Sequence, residues 1–335
     1  MAREPLVSVV IPTYNRAGII CETIDNVFQQ TYRDFELIVV DDGSTDDTQS
    51  RLLQYGNRIQ VIRQENRGPA VARNRGARAA RGEILAFQDS DDLWMPTKLE
   101  RQVSVLETDS SLPCCLSNIA LGVVDGKEFT SFAQSLIYPK HDEGIWLNVA
   151  DVLATRFLLF TQAVAIRREV FQKLGGFDES LRYLEDYDLP LRLSFMGPWG
   201  FIREPMVTYR KGSSSSFSQA ALNDPITLKH CELRICERML SEVRPGDRES
   251  SFRRHLTRRM GIFRRELTAI ELGRKRFWGA QAMAKFLMSI ERNFMAGYRR
   301  SPWFPQAITV PLHPGMNGLH GNSVESVVAS SGRCP

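Results

Sequence analysis

The chain has 335 residues, 43% of them hydrophobic and 24% charged, and Lys plus Arg exceed Asp plus Glu by four. Such a composition supports a sizeable core and excludes collagen-like, disordered and disulfide-scaffold classes. No apolar run reaches the ~18 residues that span a bilayer, the longest, Phe157 to Ile166, being broken by Thr161 and Gln162.

The first residues, "MAREPLVSVVIP", run almost directly into a strand with no secretory leader. From Val7 to Gln88, β-branched runs alternate with helical spacing. The strands are "VSVVIP", "FELIVVDD", "IQVIR" and "EILAFQD", and the helices Ala17 to Gln29, Asp46 to Tyr55 and Pro69 to Ala80, the last opened by a proline suited to a first turn. This is the pattern of β-α units around a mainly parallel sheet. Residues 122–145 read as a polar, weakly patterned insertion. "CCLSNIAL" and "QAVAIRR" read as further strands, and "EDYDLPLRLSF" as a helix whose Pro190 falls early enough to be tolerated. Residues 1–220 thus form one α/β unit.

Residues 221–300 carry 18 Lys and Arg against 9 Asp and Glu, so the remainder of the chain is slightly acidic. Phe252, Leu256, Met260, Phe263, Leu267 and Ile270 recur at helical steps between arginines, and Met283, Phe286, Leu287, Ile290 and Phe294 form a second stripe. Two amphipathic helices are expected, either packed on the α/β unit or lying on anionic lipid. The aromatics follow the helical stripe and form no stacking surface, so nucleic acid is not expected as a partner. Residues 301–335, rich in Pro, Gly and Ser, read as a poorly ordered tail. None of the six cysteines forms a CxxC pair or has zinc-ligand spacing, which fits reduced thiols in a cytoplasmic protein, peripheral to the inner face of the membrane if the basic helices bind lipid.

Ligands of open α/β sheets bind beyond the carboxyl ends of the strands, where this chain places "PTYN", "DDGS" and "DSDD". In an extended segment Asp89 and Asp91 share a face, and two hard oxygen ligands suit Mg²⁺ or Mn²⁺ completed by water and a diphosphate. Asp92 is expected to cap the helix that begins near Pro96. Asp42, at a strand end, can accept the imide N–H of a uracil-type base. Of Arg67, Arg73, Arg75 and Arg78, most are expected on a solvated face, with Arg73 turned away from the other helical pair.

Four stretches, "VSVVIPTYNR", "QTYRDFELIVVDDGSTDDT", "NRGPAVARNRGARAARGEILAFQDSDDLWMPTKLE" and "GGFDESLRYLEDYDLPLRL", resemble, in order, the inverting family 2 glycosyltransferases of the GT-A fold. The similarity covers Val7 to about Tyr209. It implies a nucleotide-sugar donor, a UDP-sugar first, with Pro12, Thr13 and Tyr14 beside base and ribose, Asp42 reading the base, Asp89 near the ribose, Arg73 on the donor and Asp91 as the direct Mn²⁺ or Mg²⁺ ligand. It implies Asp186 as catalytic base with Glu185 and Trp94 on the acceptor side. Asp186 opens a helix, where the dipole favours a carboxylate.

The implied reaction is a single in-line displacement on a glycan hydroxyl in polysaccharide synthesis. Transfer to polyprenyl phosphate, and a non-catalytic nucleotide-sugar-binding protein, are the alternatives; a nucleotidyltransferase would show a glycine-rich loop near the first strand, where only Gly18 stands. One departure concerns the segment "TYRKGSSSSFS". Family members often place a histidine there, and here Gly212 stands near that position, leaving a serine or Lys211 for the phosphate, or Asp91 and the diphosphate alone.

Overall fold

All seven residues of β1 (Val7–Thr13) are buried, as a strand covered by helices on both faces requires. The structure, a computed structural model, describes residues 4–124, 126–158, 160–210, 221, 223–242, 247–275 and 309–312. After β1 come α1 (Ile20–Phe28), β2 (Phe35–Asp41), α2 (Thr48–Leu53), β3 (Gln60–Arg63), α3 (Pro69–Ala79) and β4 (Ile84–Phe87). β1 pairs in parallel with β2 and β4, and β2 with β3. The register from Val7 opposite Phe35 to Thr13 opposite Asp41 brings the polar ends of β1 and β2 to one edge.

The chain continues through β5 (Leu93–Trp94), α4 (Lys98–Thr108), β6 (Cys114–Val124), β7 (Lys127–Thr130), α5 (Ser131–Gln134), β8 (Glu143–Trp146), α6 (Val149–Leu153), β9 (Val164–Arg167), α7 (Arg168–Lys173), α8 (Glu185–Leu193) and β10 (Trp199–Thr208). β9 lies antiparallel between β4 and β6, β10 runs parallel to β6, and β8 runs antiparallel to β10. Residues 122–145 are therefore no insertion, because they supply β7, α5 and β8. Phe132, Ile137 and Ile145 are buried, and Trp146 meets Trp199 edge-on with centroids 6.1 Å apart. Within the expected tail, β11 (Thr309–Pro311) pairs antiparallel with β8 and extends the sheet.

α9 (Pro225–Glu242) and α10 (Asp247–Lys275) pack on each other, α9 also on α8 and α10 on α6. The stripe expected either on lipid or on the α/β unit is inside the protein: Phe252, Leu256, Phe263 and Ile270 are buried, and Phe252 meets Phe195 edge-on at 4.8 Å. Burial of each such side chain is worth about 1.5–3 kcal/mol, and a face already covered offers nothing to a bilayer. Lys229, between the helices, is paired with Glu232 at 2.7 Å and Glu266 at 2.8 Å. The second stripe, 283–294, lies outside the described residues. Among the described residues, no helix is long and apolar enough to cross a membrane.

Candidate active site

The turn after β2 needs Gly43. Its φ is +79°, and a Cβ there would stand 2.8 Å from the Asn66 nitrogen. That close approach lets Asp42 brace the loop before α3, accepting from Gln64 Nε2 at 2.7 Å, Arg67 N at 2.9 Å and Gly68 N at 2.8 Å. A carboxylate has about four acceptor positions, so one on Oδ2 is left over. Beside it Pro12 and Thr13 are buried and Tyr14 is exposed; Thr13 Oγ1 makes no hydrogen bond.

The segment after β4 is a turn, with Asp92 N donating to the Asp89 carbonyl at 3.2 Å. The expectation of an extended segment with Asp89 and Asp91 on one face is corrected accordingly. Asp89 receives Arg73 Nη2 at 2.7 Å, whereas Asp91 faces Arg16 Nη2 at 3.6 Å. Nor does Asp92 cap α4, whose N-cap is Thr97. Asp92 is instead fully buried and accepts the Arg210 backbone N–H at 3.0 Å. Burial first, and the Asp89 charge after it, pushes the Asp92 carboxyl up to about 8 and raises that of Asp91 as well. Crowded acids that resist ionisation invite a cation.

Arg73 is buried, with Nη1 donating to Glu185 Oε1 at 2.9 Å and Nη2 to Asp89. Burial disfavours its charge, but Asp89 and Glu185 more than offset this and the guanidinium is held more firmly protonated. Its terminal nitrogens are thus spent on carboxylates, not on a donor as expected. Arg67, Arg75 and Arg78 are exposed. Glu185, expected on the acceptor side, is turned inward to Arg73 and buried.

α8 is set by the Gly175-Gly176 turn. Gly176 has φ +74°, and Asn74 Oδ1 would lie 2.5 Å from a Cβ there; Asn74 itself accepts from Phe177 N at 2.9 Å and donates to the Phe177 carbonyl at 2.8 Å. Leu184, the N-cap of α8, sits at φ +69°, a region that costs a bulky residue free energy and is commonest at functional sites. Asp186, on the first turn, is partly exposed, and its carboxylate makes no hydrogen bond to another described side chain. The helix dipole expected to hold it ionised is outweighed: burial, then the Glu185 charge, pushes it up to about 7. Asp188 is fully buried between Arg192, 2.8 Å away, and Arg238.

Trp94 does not reach an acceptor. It is 2% exposed, its indole N–H donates to the Gln162 carbonyl at 3.1 Å, and Lys98 Nζ lies 3.8 Å from its ring centre. The sequence reading also missed Arg16 and the role of Arg210. Both stand beside Asp91, which no spacing rule marks, since each comes to the site through loop geometry.

Among the described residues no cluster of three or more His, Cys, Asp or Glu could enclose a metal. Asp91 nevertheless fits a hard divalent cation, since among the described residues the side chain that meets its carboxylate does so at 3.6 Å, and such ions take one or two carboxylates and complete their shell from phosphate and water. Residues 211–220, which hold Lys211, Gly212 and the serine run, lie outside the described residues.

A mixed sheet with a parallel centre of β3, β2, β1 and β4, flanked by helices, with an acidic turn after β4 and an acidic first turn on α8, defines a GT-A glycosyltransferase fold. The glycosyl transferase family 2 model matches residues 8–174. A glycosyltransferase of Rickettsia typhi is 34% identical over 224 residues, 66% of this chain and 68% of that protein. Among solved structures, Staphylococcus aureus TarS 1–349 in complex with UDP-GlcNAc has a TM-score of 0.58 at 19% identity, covering 77% of this chain and 71% of that one. The mannosyltransferase PcManGT of Pyrobaculum calidifontis, in complex with GDP-Man and Mn²⁺, has a TM-score of 0.56 at 21% identity, covering 90% and 83%. The chain belongs to glycosyl transferase family 2, and it is an enzyme of sugar transfer.

Proposed function

We propose that the chain transfers a sugar from a nucleoside diphosphate sugar, a UDP-sugar first, to a hydroxyl of a glycan in polysaccharide assembly, with inversion at the anomeric carbon. The observation that carries this reading is Asp186. It is a carboxylate without a hydrogen-bonded partner among the described side chains, pushed up to about 7 and partly open to solvent, while its acidic neighbours are spent on arginines. A base works best with its pKa near the ambient pH.

Asp186 takes the acceptor hydroxyl proton as that oxygen bonds to the anomeric carbon, and the bond from that carbon to the diphosphate oxygen breaks with its electron pair. No enzyme nucleophile intervenes, so configuration inverts. Tyr14 lies beside the nucleoside, and the free Oδ2 position of Asp42 takes a base N–H. Asp91 would hold Mn²⁺ or Mg²⁺, which neutralises charge on the departing diphosphate. The UDP-GlcNAc and GDP-Man complexes of the two structural relatives support a donor of this class. The acceptor is a free or lipid-linked glycan.

The test is a panel of UDP- and GDP-sugars with Mn²⁺, scored for hydrolysis and for thermal stabilisation, which grows with ligand concentration over dissociation constant. Stabilisation by at least one of them is expected. A protein indifferent to every member of the panel would refute the reading.

A further inference from the structure

Two arginines flank Asp91, and they are held very differently. Arg210 is anchored: its backbone N–H goes to Asp92 Oδ1 at 3.0 Å, Nη1 to Glu22 Oε2 at 2.5 Å, and Nε to the Asp91 carbonyl, leaving Nη2 buried without a hydrogen bond. Arg16 is held through its main chain, whose N–H donates to Thr48 Oγ1 at 2.8 Å, after Asn15 in a left-handed conformation at φ 51°. Its guanidinium is loosely engaged. Nη2 stands 3.6 Å from Asp91 Oδ2, Nη1 makes a 3.4 Å contact with the Asn15 carbonyl, and Nε is buried without a hydrogen bond.

A guanidinium cannot shed its proton, so its charge stays at Asp91 until something removes it. A small divalent ion such as Mg²⁺ binds oxygen at about 2.0–2.1 Å, too close to share that oxygen face with another cation. We propose that Arg16 is the resident counter-ion of Asp91, displaced when a divalent cation binds there, and that the freed guanidinium then takes the donor's diphosphate. This rests on the nucleotide-sugar reading above. Arginine is suited to both partners, because its planar donors match carboxylate and phosphate alike, and Arg16 Nη2 already stands beside Asp91. Arg210 stays put and keeps the turn in place.

The experiment measures Mn²⁺ binding to the full chain without nucleotide, and binding of UDP and of uridine at saturating Mn²⁺, or of GDP and guanosine if GDP is what the wild type prefers. Arg16→Gln is expected to bind Mn²⁺ about fivefold more tightly, the scale of one partly exposed ion pair. The same variant is expected to bind UDP about tenfold more weakly, the scale of a charged hydrogen bond, with uridine unchanged. Arg16→Lys keeps the charge and should lie between the two on both measures. Opposite signs for metal and diphosphate are the signature of a displaced counter-ion, and a merely structural residue would not produce them. Both variants keep the main-chain bond to Thr48, and matching melting curves confirm that they fold. Unchanged or weaker Mn²⁺ binding in Arg16→Gln, or an equal loss of uridine, overturns the inference alone. A wild type that binds neither diphosphate, with or without Mn²⁺, overturns the functional reading and this inference together.

Discussion

Arg73 on α3 and Glu185 on α8 are 112 residues apart in sequence and 2.9 Å apart in the site. This contact, with the 2.7 Å bond from Arg73 to Asp89, ties the acidic turn after β4 to the first turn of α8. It also engages Glu185, so that Asp186 next to it is the carboxylate of this turn without a side-chain hydrogen bond among the described residues.

Arg73→Met removes the single charge that two acids share. Breaking a buried pair this way costs about 3–5 kcal/mol, because the partners stay behind uncompensated. Urea unfolding of the metal-free protein should show that loss; a loss within experimental error would mean the pairing contributes nothing to stability.

On the proposed mechanism, Asp186→Asn should leave donor affinity nearly unchanged, since a base would face the acceptor. Transfer should fall by roughly 100-fold or more, and the loss should appear in kcat, because proton removal matters in the transition state. Parallel loss of donor binding would move Asp186 into the donor site.

A base of the proposed kind must be ionised, and Asp186 is pushed up to about 7. The rate should therefore rise about tenfold per pH unit below that value and level off above it. Glu185→Gln deletes a charge that raises Asp186 and leaves Arg73 freer to lower it, so the rising limb should move to lower pH. A limb that stays in place or moves to higher pH contradicts this account.

Asp91→Asn should abolish the Mn²⁺-dependent part of UDP binding and leave the melting temperature no lower, since it relieves a half-buried acid repelled by Asp89. Calorimetric titration of UDP with and without Mn²⁺ measures it directly. Undiminished metal dependence would place the ion elsewhere.

Leu256→Ala, in the covered face of α10, should cost about 2–5 kcal/mol in unfolding experiments. A lipid-facing leucine would cost the free protein almost nothing, so the same measurement separates packing from membrane contact.

Much of the fold was legible. Strands covered on both faces read as plain apolar runs, so β1, β2 and β4 stand where "VSVVIP", "FELIVVDD" and "EILAFQD" put them. The acids of the site were legible as residues but not as geometry. Asp89 and Asp91 could be placed on one face only by assuming an extended chain, and a backbone turn sends them to different arginines. Periodicity found the stripe from Phe252 to Ile270 without saying what covers it, because a buried face and a lipid face share one spacing. Trp94 and Arg73 show the same gap: their side chains are claimed by Gln162, Asp89 and Glu185, partners that only the folded chain brings near. In 122–145 the apolar residues are sparse, and β8 is a strand because β10 pairs with it.

β11 lays Thr309–Pro311 along β8, with the Val310 carbonyl so close to Gly144 that a Cβ there would stand 2.2 Å from it. Without that strand the outer hydrogen-bonding groups of β8 would be bare, next to the buried pair Ile145 and Trp146. An uncovered edge of this kind templates pairing with another chain. A polypeptide cut short before residue 309 would carry the intact chemistry of the site and still be prone to aggregate edge to edge.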